Sequence, residues 1–597
     1  MLRSRDSSSL KQWAEKRQGV GFIDVYDYLS LALFGRVVDW FTKTFEMEDA
    51  LRRAGWSMYP QLYSARVLMA TFLSLFISLY VVLVVWWFAI DLILRVILSL
   101  FSLMLPVFVL AIGLALPSIA ADYRRNRTNS ELPFFAAYLT SMSLAGVGLV
   151  HVLERVSRLR VFAGIRREAR AVFRNVKYMG LDPIDALERQ AYTHPSPVFR
   201  DFILGYITVL KTGANLVDYL EVRTRDIFSK RIEELETISS RIAMYSEIYV
   251  IIAVIISITF YVFFIMASMN PTQAGLSSVI QFAVFAFVAL PLMTVAVIYL
   301  VDRIQPKTPI RVVSPYIATL SYGVPLAVVA FIVVFQVTGA YRVLDGILDK
   351  QVVVGLTISA GVFFIALSIP GAIAWMSESR RVKGAGLQLA IFLRELAETR
   401  KTGLAPEKAI VMLSKRDYGP LNPVLRRIAS SLSLGSDLER AVAVALRGYK
   451  NWLLLATMRF LVDAITYGGG SPETLDSLAR YSKSLAELEE ELSKKLRVYM
   501  MMPYIGAVLV AGSSMLMIGL ASQSIAVGVT GPRLEAMMHQ LMLVSLVASL
   551  GAVMNSWLMG LTAGKIANGT IAAGFIHAIL TTSLAMVTAV LTLSRFA

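Results

Sequence analysis

The chain is 597 residues long, 56% hydrophobic and only 17% charged, with a mean hydropathy of +0.63. That composition excludes an ordinary soluble globular protein and points to a polytopic membrane protein. The formal charge of +16 is no nucleic-acid signature, because lysine and arginine concentrate in segments that the positive-inside bias assigns to the cytoplasm. The absence of cysteine excludes disulfides, thiol nucleophiles and Cys-ligated metals.

Residues 1–65 form an amphipathic region expected in the cytoplasm, and its polar start, Met1 to Val20, lacks the apolar core of a cleavable signal. Phe22, Val25, Leu29, Leu33, Val37 and Trp40 recur at helical spacing, giving an apolar face that either lies on the membrane or packs within a small N-terminal domain. In residues 66–120 the apolar run Val67 to Ala120 is too long for one crossing, about 80 Å as helix against a hydrocarbon core of about 30 Å. Two spans are expected, turning at Asp91 and Arg95 beside Trp86 and Trp87.

A first polar helical block fills residues 121–247, and four spans follow in 248–374: Ile248 to Met269, Ser277 to Leu300, Tyr316 to Val337 and Val352 to Ala374. The loop Asn270-Pro271-Thr272-Gln273 joins the first pair, and a basic link with Arg303, Lys307 and Arg311 joins the pairs. A second polar block, 375–500, opens with Arg380, Arg381 and Lys383. Residues 501–597 hold three spans: Met501 to Ala526, Gln540 to Ala563 and Thr570 to Leu593. The expected fold is an all-α polytopic membrane protein with nine transmembrane helices and two duplicated helical bundles. The N-terminus and both bundles face the cytoplasm, and Ala597 lies outside.

The two blocks share one plan. Gly146 and Gly148 interrupt the first apolar helix of block one, followed by an Arg-rich helix, Gly180 with Asp182, and Lys211-Thr212-Gly213; block two has Gly403, Arg426 and Arg427, Gly435 with Asp437, and Gly469. Gly180 to Gly435 and Asp182 to Asp437 are both about 255 positions apart. Such glycines suit left-handed helix ends, and the aspartates can cap the next helix, so each block reads as two antiparallel helical hairpins.

No catalytic constellation emerges. Gly560-Leu561-Thr562-Ala563-Gly564-Lys565-Ile566 is one residue short of a phosphate loop, has Ile where a hydroxyl belongs, and falls at a membrane turn. The four histidines are scattered, so no metal or cofactor is expected, and His577, inside the last span, reads as a neutral imidazole hydrogen-bonded across helices. Arg166, Arg167, Arg170, Arg174 and Lys177 make a positive stripe on one helix, with Lys211 nearby in sequence and Lys415, Arg416, Arg426 and Arg427 as the second-block counterpart. Two readings stay open: a solvated face against anionic lipid, or a docking site for an acidic protein partner.

With Leu51-Arg52-Arg53-Ala54-Gly55-Trp56 before the first span, and Leu132-Pro133-Phe134-Phe135, Ala145-Gly146-Val147-Gly148, Gly180-Leu181-Asp182 and Lys211-Thr212-Gly213 within block one, the chain resembles the inner-membrane platform proteins of type IV filament machines. These carry type II secretion system F domains, and the archaeal pilus and archaellum branch is the nearest in plan. Block two departs from the pattern, with Tyr467-Gly468-Gly469-Gly470 in place of Lys-Thr-Gly. The resemblance implies a non-enzymatic, homodimeric platform that couples a hexameric secretion-type ATPase to insertion of pilin or archaellin subunits, with the ten basic residues above as ATPase-docking candidates. It also suggests guest-helix grooves lined by small residues such as Ala511, Gly512, Gly551 and Gly560. A multi-span solute transporter or channel is the competing expectation.

Overall fold

The computed structural model describes residues 22–87, 92–159, 161–268, 276–305, 312–382, 384–528 and 532–596. Every regular element among them is helical. Asp91, the loop at 270–273, Lys307, Arg311 and Lys383 lie outside the described residues. Eight of the described helices are long and apolar enough to cross a membrane, and a shorter apolar stretch, Ile255–Phe264, lies where the third span is expected. The protein is an all-α, multi-pass membrane protein. It divides into two compact units, residues 1–136 with 148–223 and residues 137–147 with 224–597.

In unit one, α1 (Phe22–Thr44), α2 (Met47–Ala54), α3 (Pro60–Trp87) and α4 (Leu92–Leu103) precede α5 (Leu105–Leu144). The α3–α4 hairpin is locked by Ser78 and Ser102, whose hydroxyls each donate to the other's carbonyl, at 2.7 and 3.1 Å. Arg95 stands in the first turn of α4. The start of α3 packs on α5 through glycine, since a Cβ on Gly113 would stand 2.6 Å from Val67 Cγ1. The Tyr63 hydroxyl donates to the Gly113 carbonyl at 2.6 Å. Block one does not begin a new helix at Leu132, as its pattern suggests: α5 carries the chain from its apolar part directly into the polar block, through Pro133.

The four-helix expectation for each block is too low, for both hold six α-helical segments in the same order, block two with a 3-10 turn at Gly419–Leu421 as well. Block one has the end of α5, then α6 (Leu149–Arg158), α7 (Gly164–Met179), α8 (Pro183–Thr193), α9 (Pro197–Thr212) and the start of α10 (Leu216–Ser268). Block two, within unit two, has α16 (Ala385–Lys401), α17 (Pro406–Leu413), α18 (Asn422–Ser433), α19 (Leu438–Ala445), α20 (Trp452–Gly468) and α21 (Pro472–Tyr499). The glycines at 146, 180 and 213, and at 403, 435 and 469, adopt left-handed φ of 64–83° at matching helix ends. Gly148 does not: its φ is −66°, and it is the extended N-cap of α6. Asp182 and Asp437 accept from the N–H two residues on, at 2.9 and 3.2 Å, capping α8 and α19.

The membrane part of unit two comprises α11 (Leu276–Val284), continuing through a π turn into α12 (Leu290–Ile304), then α13 (Ser314–Ala318), again through a π turn, into α14 (Val324–Val337). After α15 (Lys350–Val382) and block two come α22 (Met501–Gly528), α23 (Pro532–Asn568) and α24 (Ile571–Phe596). The candidate phosphate-loop segment is a helix crossing. A Cβ on Gly560 would stand 2.3 Å from Ala578 Cα, and one on Gly564 would stand 2.0 Å from Gly574 N. These glycines let α23 and α24 touch backbone to backbone, as small-xxx-small pairs do in lipid.

Polar groups inside this bundle meet each other. Asn555 donates to the Ala286 carbonyl in the first π turn at 3.1 Å. His577 Nδ1 lies 2.7 Å from the Tyr504 hydroxyl, and Lys565, nearly buried, pairs with Asp302 at 2.6 Å. Ile242, Val301, Leu496 and Ile566 form one apolar cluster that joins α10, α12, α21 and α23.

Candidate functional site

The basic stripe follows from how α7 is held. Ile165, Glu168, Ala169 and Val172 are buried at helical spacing, so the register between them turns outward. No side chain of its own caps α7. Instead the buried Glu131 carboxylate of α5 accepts from the N–H groups of Ala163, Gly164 and Ile165, each at 2.9 Å, at the positive end of the helix dipole. Burial pushes this carboxyl above its ordinary range against the pull of those three N–H groups. Gly164 eases the approach, since a Cβ there would lie a tight 3.2 Å from the Arg127 backbone carbon.

Glu168 anchors the other side. Arg124 reaches it with Nε at 2.9 Å and Nη2 at 2.6 Å, in a fork in which both side chains are almost fully buried. Burial alone would raise the Glu168 carboxyl, but Arg124, His194 and Gln190 together hold it below its ordinary range. The remaining Arg124 nitrogen donates to the carbonyls of Arg53 and Arg52 at 3.0 and 3.3 Å, tying α5 and α7 to the end of α2.

Arg166, Arg167, Arg170 and Arg174 then line an open cleft of about 690 Å³, together with Arg52, Arg124 and Arg189. Glu168 is the one carboxylate among its described lining residues. Arg167 donates to the Gly55 carbonyl and Arg170 to the Ser157 carbonyl, both at 2.8 Å. Lys177 lies outside the lining, over the Phe173 ring at 5.7 Å, and Lys211 pairs with Glu188 at 2.8 Å. In block two, Arg426 and Arg427 are exposed on α18, Lys415 is exposed just after α17, and Arg416 pairs with Glu395 at 2.7 Å. The structure gathers the first-block arginines into one concave site. It leaves the second-block four on open surface.

Sequence reasoning missed Arg52, Arg124 and Arg189, which come from three other segments. One signal was present: Glu168 is the sole acid in an arginine-rich helix and falls on its apolar register. His194 is structural here. It is buried, its Nδ1 accepts from the Ser196 N–H at 3.0 Å, and its Nε2 lies 3.2 Å from the Thr128 hydroxyl. Burial holds its imidazole down to about 4, Glu168 pulling upward and Arg124 pushing down. The unfolded chain, with an ordinary histidine, therefore takes up a proton that the fold refuses. His194's contribution is complete above about 6.5 and lost as pH falls toward 4. Glu131, whose carboxyl is raised, acts in the opposite sense, so the difference between proteins is the test. The protection factors of α7 and α8 amides, corrected for the intrinsic slowing of exchange with falling pH, should drop more between pH 7 and 5 in the wild type than in His194→Gln; equal drops would contradict this.

The small residues of the spans serve internal packing. Ala511 is buried with Ala552 and Ala585, Gly551 faces the Tyr261 hydroxyl and Gly560 faces α24. Gly512 alone of that set has open space where a Cβ would stand.

The model of the type II secretion system protein F family matches residues 135–264 and 392–519, one match to each block and the membrane helix after it. An uncharacterized protein of Methanocaldococcus jannaschii is 21% identical over 442 residues, 69% of this chain and 72% of that protein. The flagella accessory protein J of the same organism is 23% identical over 421 residues, 67% of this chain and 71% of its own. No solved structure matches. The chain thus carries the type II secretion system protein F domain twice, in blocks whose helix order and glycine caps coincide.

Proposed function

We propose that the protein is the membrane platform of a type IV filament machine, receiving work from a cytoplasmic secretion-type ATPase and passing it to pilin-like or archaellin-like subunits held in the membrane. The observation that carries this reading is the paired stalk. Each block ends in a charged helix that leads into an apolar one, α10 within itself and α21 into α22. The two stalks are bound together by Lys495 to Glu236 at 3.0 Å and by stacked Phe228 and Tyr481 rings 5.8 Å apart. A displacement of either block therefore moves both rods. The relationship to flagella accessory protein J supports the same reading.

The basic surface of both blocks is the docking face for the ATPase, and the platform works as a homodimer with both blocks in the cytoplasm. Block one contributes Arg166, Arg167, Arg170, Arg174, Lys177 and Lys211. Block two contributes Lys415, Arg416, Arg426 and Arg427. A solute pathway is less well supported, because Asn555, His577 and Lys565 are each engaged by another group of the bundle. Reversing Lys415, Arg416, Arg426 and Arg427 to glutamate should cut ATPase capture by the purified platform at least about tenfold, as loss of complementary charge does at interfaces. Capture at the wild-type level would contradict the docking assignment.

A further inference from the structure

The first-block cleft has a chemistry that partner docking does not demand. Seven arginines line about 690 Å³; the one carboxylate among the described lining residues is taken by Arg124, and Glu48, outside the lining, pairs with Arg52 at 2.6 Å. Like charges crowded into a concavity focus a strong positive potential and favour an anion within it. The second-block basic residues are instead spread on open surface. The difference lies in the wall that Arg52, from α2, and Gly55, Trp56 and Ser57, from the α2–α3 link, add against α7.

The cleft also lies close to the end of an apolar run. Arg124 lies four residues past the end of the apolar run at Ala120, about 6 Å along α5, whereas the headgroup layer of a bilayer is about 5–8 Å deep. Trp56 and Tyr59, 36% and 78% exposed, stand beside the start of α3 as interfacial aromatics do. Helix α1, pinned to α3 by Thr42 to Ser64 at 2.8 Å and by Asp27 to Arg66, turns an apolar face outward: Val25, Leu29, Leu33, Val37 and Trp40 are exposed. Such a face at the start of a span suits contact with acyl chains.

We propose that this cleft seats the phosphates of anionic phospholipid headgroups and ties the first polar block to the leaflet beside it. The guanidinium fork matches phosphate oxygens two at a time, and several arginines around one concavity accommodate a headgroup with more than one phosphate or two neighbouring lipids. The cleft arginines are shared with the docking reading, but lipid retention is measured without the ATPase, so the two readings fail separately.

The test is native mass spectrometry of the full chain in neutral detergent, titrated with phosphatidylglycerol or phosphatidylcholine. The wild type is expected to retain phosphatidylglycerol preferentially. Arg174→Gln with Arg189→Gln should weaken that retention about 25-fold, at about fivefold per arginine. Arg52→Gln, on the opposite wall, should weaken it about fivefold. The same charge removal in block two, Arg426→Gln with Arg427→Gln, should leave it unchanged. Wild-type retention in the cleft variants would overturn the proposal. So would binding of inorganic pyrophosphate that phosphatidylglycerol fails to displace, since the site would then belong to a soluble phosphate compound.

Discussion

Replacing Arg124 with methionine should unfold the α7–α8 region, at a cost of about 3–5 kcal/mol, because Glu168 would be left charged and buried without its fork. The loss is local at first, read as protease cleavage between α6 and α9 and as rapid amide exchange in α7. Two further outcomes separate this account from a general packing defect. Arg124→Met combined with Glu168→Met should recover much of the stability, since a buried pair replaced by apolar side chains of similar size is tolerated. The single variant should also lose less at pH 5.5 than at pH 8. Arg124 pushes the His194 proton away, and without it His194 can charge and pair with Glu168, 3.8 Å away. A single variant as stable as the wild type at pH 8 would show that the fork is dispensable.

Gly564→Val should disrupt the membrane bundle more severely than any surface change. A Cβ at that position would stand 2.0 Å from Gly574 N and 2.2 Å from Gly574 Cα, and no rotamer relieves a clash with backbone. Overpacking in a well-filled core costs about 1–3 kcal/mol, and a backbone contact leaves less room to relax than a side-chain contact does. The thermal midpoint in detergent should therefore fall well below that of Gly512→Val, whose Cβ meets nothing within 4 Å. Equal midpoints would contradict the close crossing of α23 and α24.

Much of the fold was legible in the sequence because its signals are local. A left-handed helix end tolerates glycine best, and an aspartate two residues later caps the next helix, so Gly180 with Asp182 and Gly435 with Asp437 expose the duplication without any tertiary knowledge. Four helices per block were expected instead of six because α17 and α19, at 8 residues each, are too short to establish a clear 3.6-residue pattern. Gly148 was misread because glycine serves an extended N-cap as readily as a left-handed end. The Gly560 to Gly564 spacing resembled a degraded nucleotide motif, whereas in lipid the same spacing brings helices together. The arginine cleft was only half visible. Its stripe on α7 is a local pattern, but Arg52 and Arg124 are 72 residues apart and meet only through a carbonyl contact that no periodicity encodes.

The central claim is that two like helical blocks face the same compartment and share lipid-embedded rods. Because the chain contains no cysteine, single cysteines report topology cleanly. Lys177→Cys in block one, Arg426→Cys in block two and Leu344→Cys between two spans should be treated with a membrane-impermeant maleimide in right-side-out and inverted vesicles. The account predicts that Lys177→Cys and Arg426→Cys label only in inverted vesicles and Leu344→Cys only in right-side-out ones. Labelling of the two block positions from opposite sides would contradict it.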